Sequence, residues 1–217
     1  MTQLQNIIDN ASSLELIRNR ITAQTVTRSG RLKSQEVQSG VPWRMRITYN
    51  RPQPYAELRG LLAQWEDLNI TTSYTDINIG STNPGLAYIT QYQGDLTSGQ
   101  LAGVKYAQSV GTGASILVDT TGTTGSGVLF RQGDLISVDG FDDVYEVTQN
   151  VNFSSNAALP VPVHRGFINR NPGLTGLNLK VGTDVRWEMR LMQMPRYQIV
   201  APNLVQFQDP IEIMEVL

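Results

Sequence analysis

The sequence predicts a mainly β protein, a β-sandwich or barrel with one packed α-helix and a short N-terminal helix. Residues 43–49, WRMRITY, alternate apolar side chains with Arg44, Arg46 and Thr48, which is the period of a half-buried strand. Residues 185–191, VRWEMRL, repeat the alternation. Only one segment carries a strong helical stripe, and many short strands with one well-placed helix are typical of a sandwich or barrel.

Two segments have the spacing of a helix. Residues 55–68 follow the breaker run RPQP and carry apolar side chains on one predicted face, namely Tyr55, Leu58, Leu61, Leu62, Trp65 and Leu68. A shorter stripe near the start, Leu4, Ile7, Ile8 and Ala11, predicts a second helix that ends around residues 10–13.

Short runs with strand composition occupy much of the remaining chain. We expect strands at 22–27, 72–79, 86–92, 104–110, 115–119, 129–138, 144–151, 197–200, 204–207 and 211–216.

Two connections are polar and rich in glycine. Residues 120–127, TTGTTGSG, have no apolar side chain to bury and predict an exposed flexible loop. Residues 28–42 have only Leu32, Val37 and Val41 as apolar anchors, so they predict an extended arm that becomes ordered against a neighbouring subunit. Neither resembles a domain linker, and we predict a single domain over residues 1–217.

Composition excludes several classes of site. The chain has no cysteine, so disulfides and thiolate chemistry are impossible, and its net charge of -2 gives no overall field towards nucleic acid or an anionic membrane. The start lacks the pattern of a signal peptide, and no apolar run approaches the ~20 residues of a membrane helix. We expect a soluble protein made in the cytoplasm.

The acidic segment at residues 133–151, GDLISVDGFDDVYEVTQNV, has two interpretations. Asp139-Gly140 between two alternating runs predicts a β-hairpin turn, because glycine accepts positive φ and aspartate bonds its own backbone. The alternative is a cation site, but the spaced acidic pattern of a calcium loop is missing. The sequence favours the hairpin, with Asp142 and Asp143 as surface residues of its turn.

Catalytic motifs find little support. His164 is the only histidine, and no nucleophile elbow or phosphate-binding loop accompanies it, so it is better explained as a surface or strand-end residue. A carboxylate pair matched only in space stays open. We therefore predict no enzyme activity, no metal and no cofactor.

Basic residues concentrate in one region, and they favour a protein partner over nucleic acid. The aromatic residues there fall on the face opposite the arginines, where they cannot offer bases a stacking platform. The candidates for a subunit interface are Arg28, Arg31, Leu32, Lys33, Arg44 and Arg46. Glu212 and Glu215 near the C-terminus are the acidic positions that such an arm could meet.

Several longer stretches resemble the minor tail proteins of tailed bacteriophages. They are PWRMRITYNRP, YAELRGLLAQWEDLN, INIGSTNPGLAYITQYQGDL, the acidic segment at 133–151, PVHRGF, and the closing VRWEMRLMQMPRYQI and VQFQDPIEIMEVL. The resemblance spans most of the chain from about Thr22 onward. No catalytic residue is carried over, because the matching motifs are structural.

The resemblance implies a fold of the tail-tube type and a structural role in the virion. The expected assembly is a homo-oligomeric ring, six-fold, in the tail or baseplate, where it joins the tail tube to adjacent tail proteins. It would be assembled in the host cytoplasm, with DNA only passing through the lumen and no membrane contact. A head-to-tail connector or neck ring, and a host-carbohydrate-binding tail component, are the alternatives.

Overall fold

Antiparallel strands form most of the secondary structure in the computed structural model, which describes residues 3–18, 22–26, 32–36, 42–66, 73–80, 83–108, 114–141, 143–166 and 174–216. In chain order the strands are β1 (Ser13–Ile17), β2 (Thr22–Val26), β3 (Leu32–Glu36), β4 (Arg44–Thr48), β5 (Gln53–Pro54), β6 (Ser73–Ile77), β7 (Lys105–Gln108), β8 (Ser115–Asp119), β9 (Val128–Phe130), β10 (Leu135–Val138), β11 (Val144–Glu146), β12 (Val151–Asn152), β13 (Leu159–Pro162), β14 (Leu177–Val181), β15 (Trp187–Leu191), β16 (Tyr197–Ala201), β17 (Leu204–Phe207) and β18 (Ile211–Glu215).

The helices are short except for one. They are α1 (Gln3–Asp9), α2 (Tyr55–Glu66), α3 (Ala87–Thr90) and α4 (Ser98–Leu101), with single 3₁₀ turns at Pro84–Leu86 and Gly182–Asp184. Both predicted helices are confirmed, although Leu68 lies outside the described residues. Tyr55 does not belong to the buried stripe of α2, since it is exposed, whereas Leu58, Leu61, Leu62 and Trp65 are buried.

The first sheet has five strands in the order β1-β4-β18-β15-β6. Its inner face carries the predicted alternation, because Trp43, Met45 and Ile47 are buried while Arg44 and Arg46 are exposed. These side chains form one hydrophobic cluster together with the buried faces of α1 and α2. The two helices therefore lie on the core side of this sheet.

The second sheet has six strands in the order β11-β10-β14-β7-β8-β13 and is built around a second hydrophobic cluster. Its strands β10 and β11 are the hairpin predicted from the acidic segment, with Ile136 opposite Tyr145. Gly140 in the turn has a φ of 82°, the left-handed conformation for which glycine was expected there.

Three smaller sheets complete the described structure. The third sheet has the order β16-β17-β5, and two pairs of strands, β9 with β12 and β2 with β3, form two-stranded ribbons. The β2–β3 pair is called the N-terminal ribbon below. The fold is mainly β, with curled sheets that form half-barrels.

Some strand predictions were wrong. Residues 86–92 contain the helix α3 after a 3₁₀ turn, because the Asn83 side chain accepts a hydrogen bond from Gly85 N and Pro84 opens the turn. The expected strands at 129–138 and 144–151 are each divided, since Gly133 adopts a φ of 96° between β9 and β10 and Val147 forms only an isolated bridge. Strands β1, β3, β5, β13 and β14 were not predicted.

Candidate functional site

The predicted interface residues divide between the N-terminal ribbon and the first sheet. Arg28 and Arg31 lie outside the described residues. Leu32 and Lys33 begin β3, with Val26 and Thr25 of β2 as their partners in register. The middle of the predicted arm is thus a strand of a β-ribbon, and no other described strand pairs with that ribbon.

Arg44 and Arg46 lie on the outer face of β4, as predicted. Arg46 pairs with Glu212 of the neighbouring β18 at 3.5 Å, and Glu15 of β1 is its Cα partner on the other side. Both members of the pair are about half exposed, so this row of alternating charge is a solvated surface feature.

The next row on the same face is basic. Arg44 of β4 and Arg190 of β15 are the cross-strand partners of Met214 on either side, and both arginines are exposed. Within the described part of the chain neither has an ion-pair partner. Two cations that flank an apolar side chain in this way can receive carboxylates from a partner protein.

Glu215 cannot serve as the expected contact for a neighbouring arm, because it is fully buried and paired with Arg165. The pair is bidentate, with both N–O distances 2.7 Å. Trp43 N and Val144 N also donate to the carboxylate, each at 3.1 Å. This buried pair joins the first sheet, through Trp43 and Glu215, to the second sheet at Val144.

Sequence reasoning missed this pair. Arg165 stands in the quoted stretch PVHRGF and Glu215 in the closing strand, 50 residues apart, so no local spacing connects them. The available signal was the alternation of β18, which places Glu215 on the same face as Ile211 and Ile213.

His164 lies just after β13, next to the buried Arg165–Glu215 pair, and also contributes to the contact between the first and second sheets, which is called the polar seam below. Its Nδ1 accepts a hydrogen bond from Glu146 N at 2.9 Å, and its own N donates to Glu146 O. The imidazole ring of His164 packs edge-on against the Trp43 ring, with centroids 5.4 Å apart. The guanidinium of Arg18 lies over the Trp43 ring and forms an ion pair with Glu146. These contacts make His164 a packing residue at a strand end.

The acidic segment differs from expectation at one position. Asp143 is fully buried rather than exposed in the turn, and Asp134 is buried as well, while Asp142 lies outside the described residues. Among the residues that the structure describes, no three His, Asp or Glu side chains lie close enough together to hold a metal ion.

Asp134 and Asp95 tie the stretch YQGD to β9 and to the turn between β9 and β10. Asp134 accepts hydrogen bonds from Gln93 N and Arg131 N, both at 2.8 Å, and its burial raises the pKa of its carboxyl group. Asp95 accepts from Val128 N at 2.8 Å and from Arg131 at 2.9 Å. The Val128 N–H first, and Arg131 second, lower the pKa of Asp95.

The loop at 120–127 is anchored at several points. Thr120 is buried, contrary to the expectation of exposure, and its hydroxyl donates to Ser154 O while its N donates to Asn156 O. Gln100 donates to Thr124 O at 2.8 Å. Beside the loop lies a surface depression of about 440 Å³, lined by threonine, glycine and glutamine.

The third sheet exposes apolar side chains that the sequence analysis did not single out. Ile199 is 74% exposed and Val200 is 40% exposed, both on the edge strand β16. Tyr55, Leu204 and Ile199 border a hollow of about 130 Å³. The detectable signal was YQIVA, the five uncharged residues that follow Arg196 and precede Pro202.

No family model and no curated protein matches the chain. In the described residues, no helix is long and apolar enough to cross a membrane.

Proposed function

We propose that this protein is a structural component of a tailed bacteriophage particle. In this proposal it assembles with copies of itself into a six-fold ring in the tail or baseplate and joins the tail tube to adjacent tail proteins. The proposal draws on the resemblance of its longer motifs to minor tail proteins and on its mainly β architecture.

The N-terminal ribbon is the observation that carries the proposal. β2 and β3 pair with each other over five residues each, and no other described strand joins them. An isolated two-stranded hairpin is marginally stable in water and needs a further strand or a packing surface. A neighbouring subunit supplies that surface in a ring.

The first sheet supports a protein partner rather than a small ligand. Arg44 and Arg190 flank Met214 on an open sheet face, which suits an extended contact between proteins. Because rings are built from heterologous interfaces, this face has to meet a different surface of the next copy.

Removal of the ribbon tests the proposal. Thr22 and Glu36 are partners in register, so their Cα atoms are about 5 Å apart and a Gly-Gly link can replace residues 23–35 without displacing the ends. Native mass spectrometry should find six-membered assemblies of the wild type and monomers of the shortened protein. Circular dichroism and the melting temperature serve as the control that the body remains folded.

Two results would oppose the proposal. A wild-type chain that stays monomeric up to high micromolar concentration contradicts self-assembly itself. If the shortened protein forms rings in the same proportion as the wild type, the protein does assemble into a ring, but the ribbon is not the contact between its subunits.

A further inference from the structure

Strand β16 is an edge strand without the usual protection. It pairs with β17 on one side only, and among the described strands none pairs with its other side. Its five residues, Tyr197–Ala201, include no charge and no proline, and Ile199, at 74%, is the most exposed large hydrophobic side chain among the described residues. Such edges are templates for pairing with another chain.

The edges of the two large sheets are protected by contrast. In the first sheet, β1 carries Glu15 and β6 carries Asp76. In the second sheet, β11 carries Glu146 and β13 carries Pro160 and Pro162. Charges and prolines are the devices by which natural sheets prevent edge pairing, so their absence from β16 points to a strand that is covered in the assembled protein.

The N-terminal ribbon offers a matching edge. β3 contains Lys33 and Glu36, whereas β2, Thr22–Val26, is uncharged and has β-branched residues at three of its five positions. Of the two outer edges of the ribbon, the β2 edge is therefore the one suited to pair with a further strand. β2 and β16 are both five residues long.

We propose that β2 of one copy adds to the edge strand β16 of the next copy, so that the third sheet continues across the subunit boundary into the ribbon. This inference rests on the proposed ring and names its contact. The added strand satisfies the free backbone groups of β16 and covers Ile199 and Val200. The hollow beside Tyr55 and Leu204 lies on the same sheet and accepts an apolar side chain from the added strand.

The contact is heterologous, since the ribbon and the third sheet are different parts of the chain. One copy therefore gives a ribbon and receives a ribbon, which produces a closed ring when the rotation between copies closes. The pairing also completes the ribbon, which gains the third and further strands that a stable sheet needs.

Disulfide trapping tests the pairing directly, because the chain has no cysteine of its own. Gln24→Cys, at the centre of β2, is combined in turn with Gln198→Cys, Ile199→Cys and Val200→Cys, so that neighbouring registers are covered in either strand direction. After oxidation with diamide we expect one of the three double variants to form a ladder of covalent multimers up to the ring size. Each single-cysteine variant is the matched control and should form no ladder.

A charge on the edge gives an independent readout. Ile199→Lys should weaken assembly by roughly tenfold or more in its dissociation constant, because a lysine on a pairing edge opposes strand addition. Met192→Lys is the control, since Met192 is an exposed apolar residue of the first sheet region and should leave assembly unchanged.

The outcomes separate this inference from the ring itself. Suppose that rings form, that no double-cysteine variant gives covalent multimers, and that Ile199→Lys assembles as the wild type does. The proposed pairing of β2 with β16 is then wrong, and the proposed ring is retained. If Ile199→Cys alone gives a covalent dimer, β16 pairs with itself about a two-fold axis, and the pairing is again wrong. If the wild type does not assemble, both proposals are wrong.

Discussion

Glu215 is the residue whose surroundings differ most from what its sequence position suggests. Only two residues follow it in the sequence, yet it is fully buried and accepts four hydrogen bonds, two of them from Arg165. A buried ion pair adds little net stability when complete, but removal of one partner leaves an uncompensated charge in the interior.

Glu215→Gln should therefore lower the free energy of unfolding by about 3–5 kcal/mol. Glu212→Gln on the same strand is the matched control, because its pair with Arg46 is half exposed and is worth at most about 1 kcal/mol. Urea denaturation of both variants measures the difference. Equal losses in the two variants would contradict the assignment of Glu215 as the charge that joins the sheets.

Asp95 makes stability depend on pH in a defined direction. Its pKa is lowered in the folded protein, by the Val128 N–H and then by Arg131, so its ionised form stabilises the fold. That contribution is present above the unfolded pKa of about 3.9 and is lost as the pH falls through the lower folded value.

Asp95→Asn should lower the melting temperature at pH 7, and the difference from the wild type should shrink as the pH falls below about 4. The pKa of Asp134 changes in the opposite direction, because burial raises it. Asp134 is present in both the wild type and the Asp95→Asn variant, so its contribution to stability cancels in the comparison. Thermal melts between pH 7 and pH 2.5 provide the measurement. A difference that stays constant over this range would show that the carboxylate charge is not what stabilises this turn.

Helix α2 is the element that the sequence defined most clearly, because four of its apolar side chains face the first core. Leu61→Ala should lower the free energy of unfolding by about 2–5 kcal/mol through the lost burial and the cavity left behind. Arg59→Ala, on the exposed side of the same helix, should change it by no more than about 0.5 kcal/mol. A similar effect of both substitutions in chemical denaturation would mean that α2 does not pack by this stripe.

Strands were predictable where one face is buried and the other is solvated. β4 and β15 have that alternation, and both were found with the expected faces buried. Short apolar runs were ambiguous, as at residues 86–92, where an asparagine cap and a proline start a helical turn instead of a strand. β14 pairs on both sides within the second sheet and has no fully buried side chain, so no pattern marked it.

Side chains paired through space were beyond the sequence for a different reason. The hairpin of β10 and β11 is local and follows from Asp-Gly between two runs. The Arg165–Glu215 pair and the burial of Asp143 depend on how distant strands meet, which no spacing encodes. For the candidate interface, the sequence predicted that Arg44 and Arg46 lie on the exposed face of their strand. That β16 is an edge strand could be seen only from the strand order in the structure.

At the scale of the whole molecule, two hydrophobic clusters are held together by a buried polar seam, while a ribbon and a sheet edge are left without described strand partners. The seam and the cores explain how one copy is stable. In the ring proposed above, a second copy completes the ribbon and the edge, so self-assembly is the central claim of the proposal.

Electron cryo-microscopy of the purified wild-type protein tests that claim most directly. At concentrations in the high micromolar range, class averages should contain closed rings with six-fold rotational symmetry, in which a β-ribbon crosses each subunit boundary. Particles of a single copy only, at every concentration, would contradict the claim.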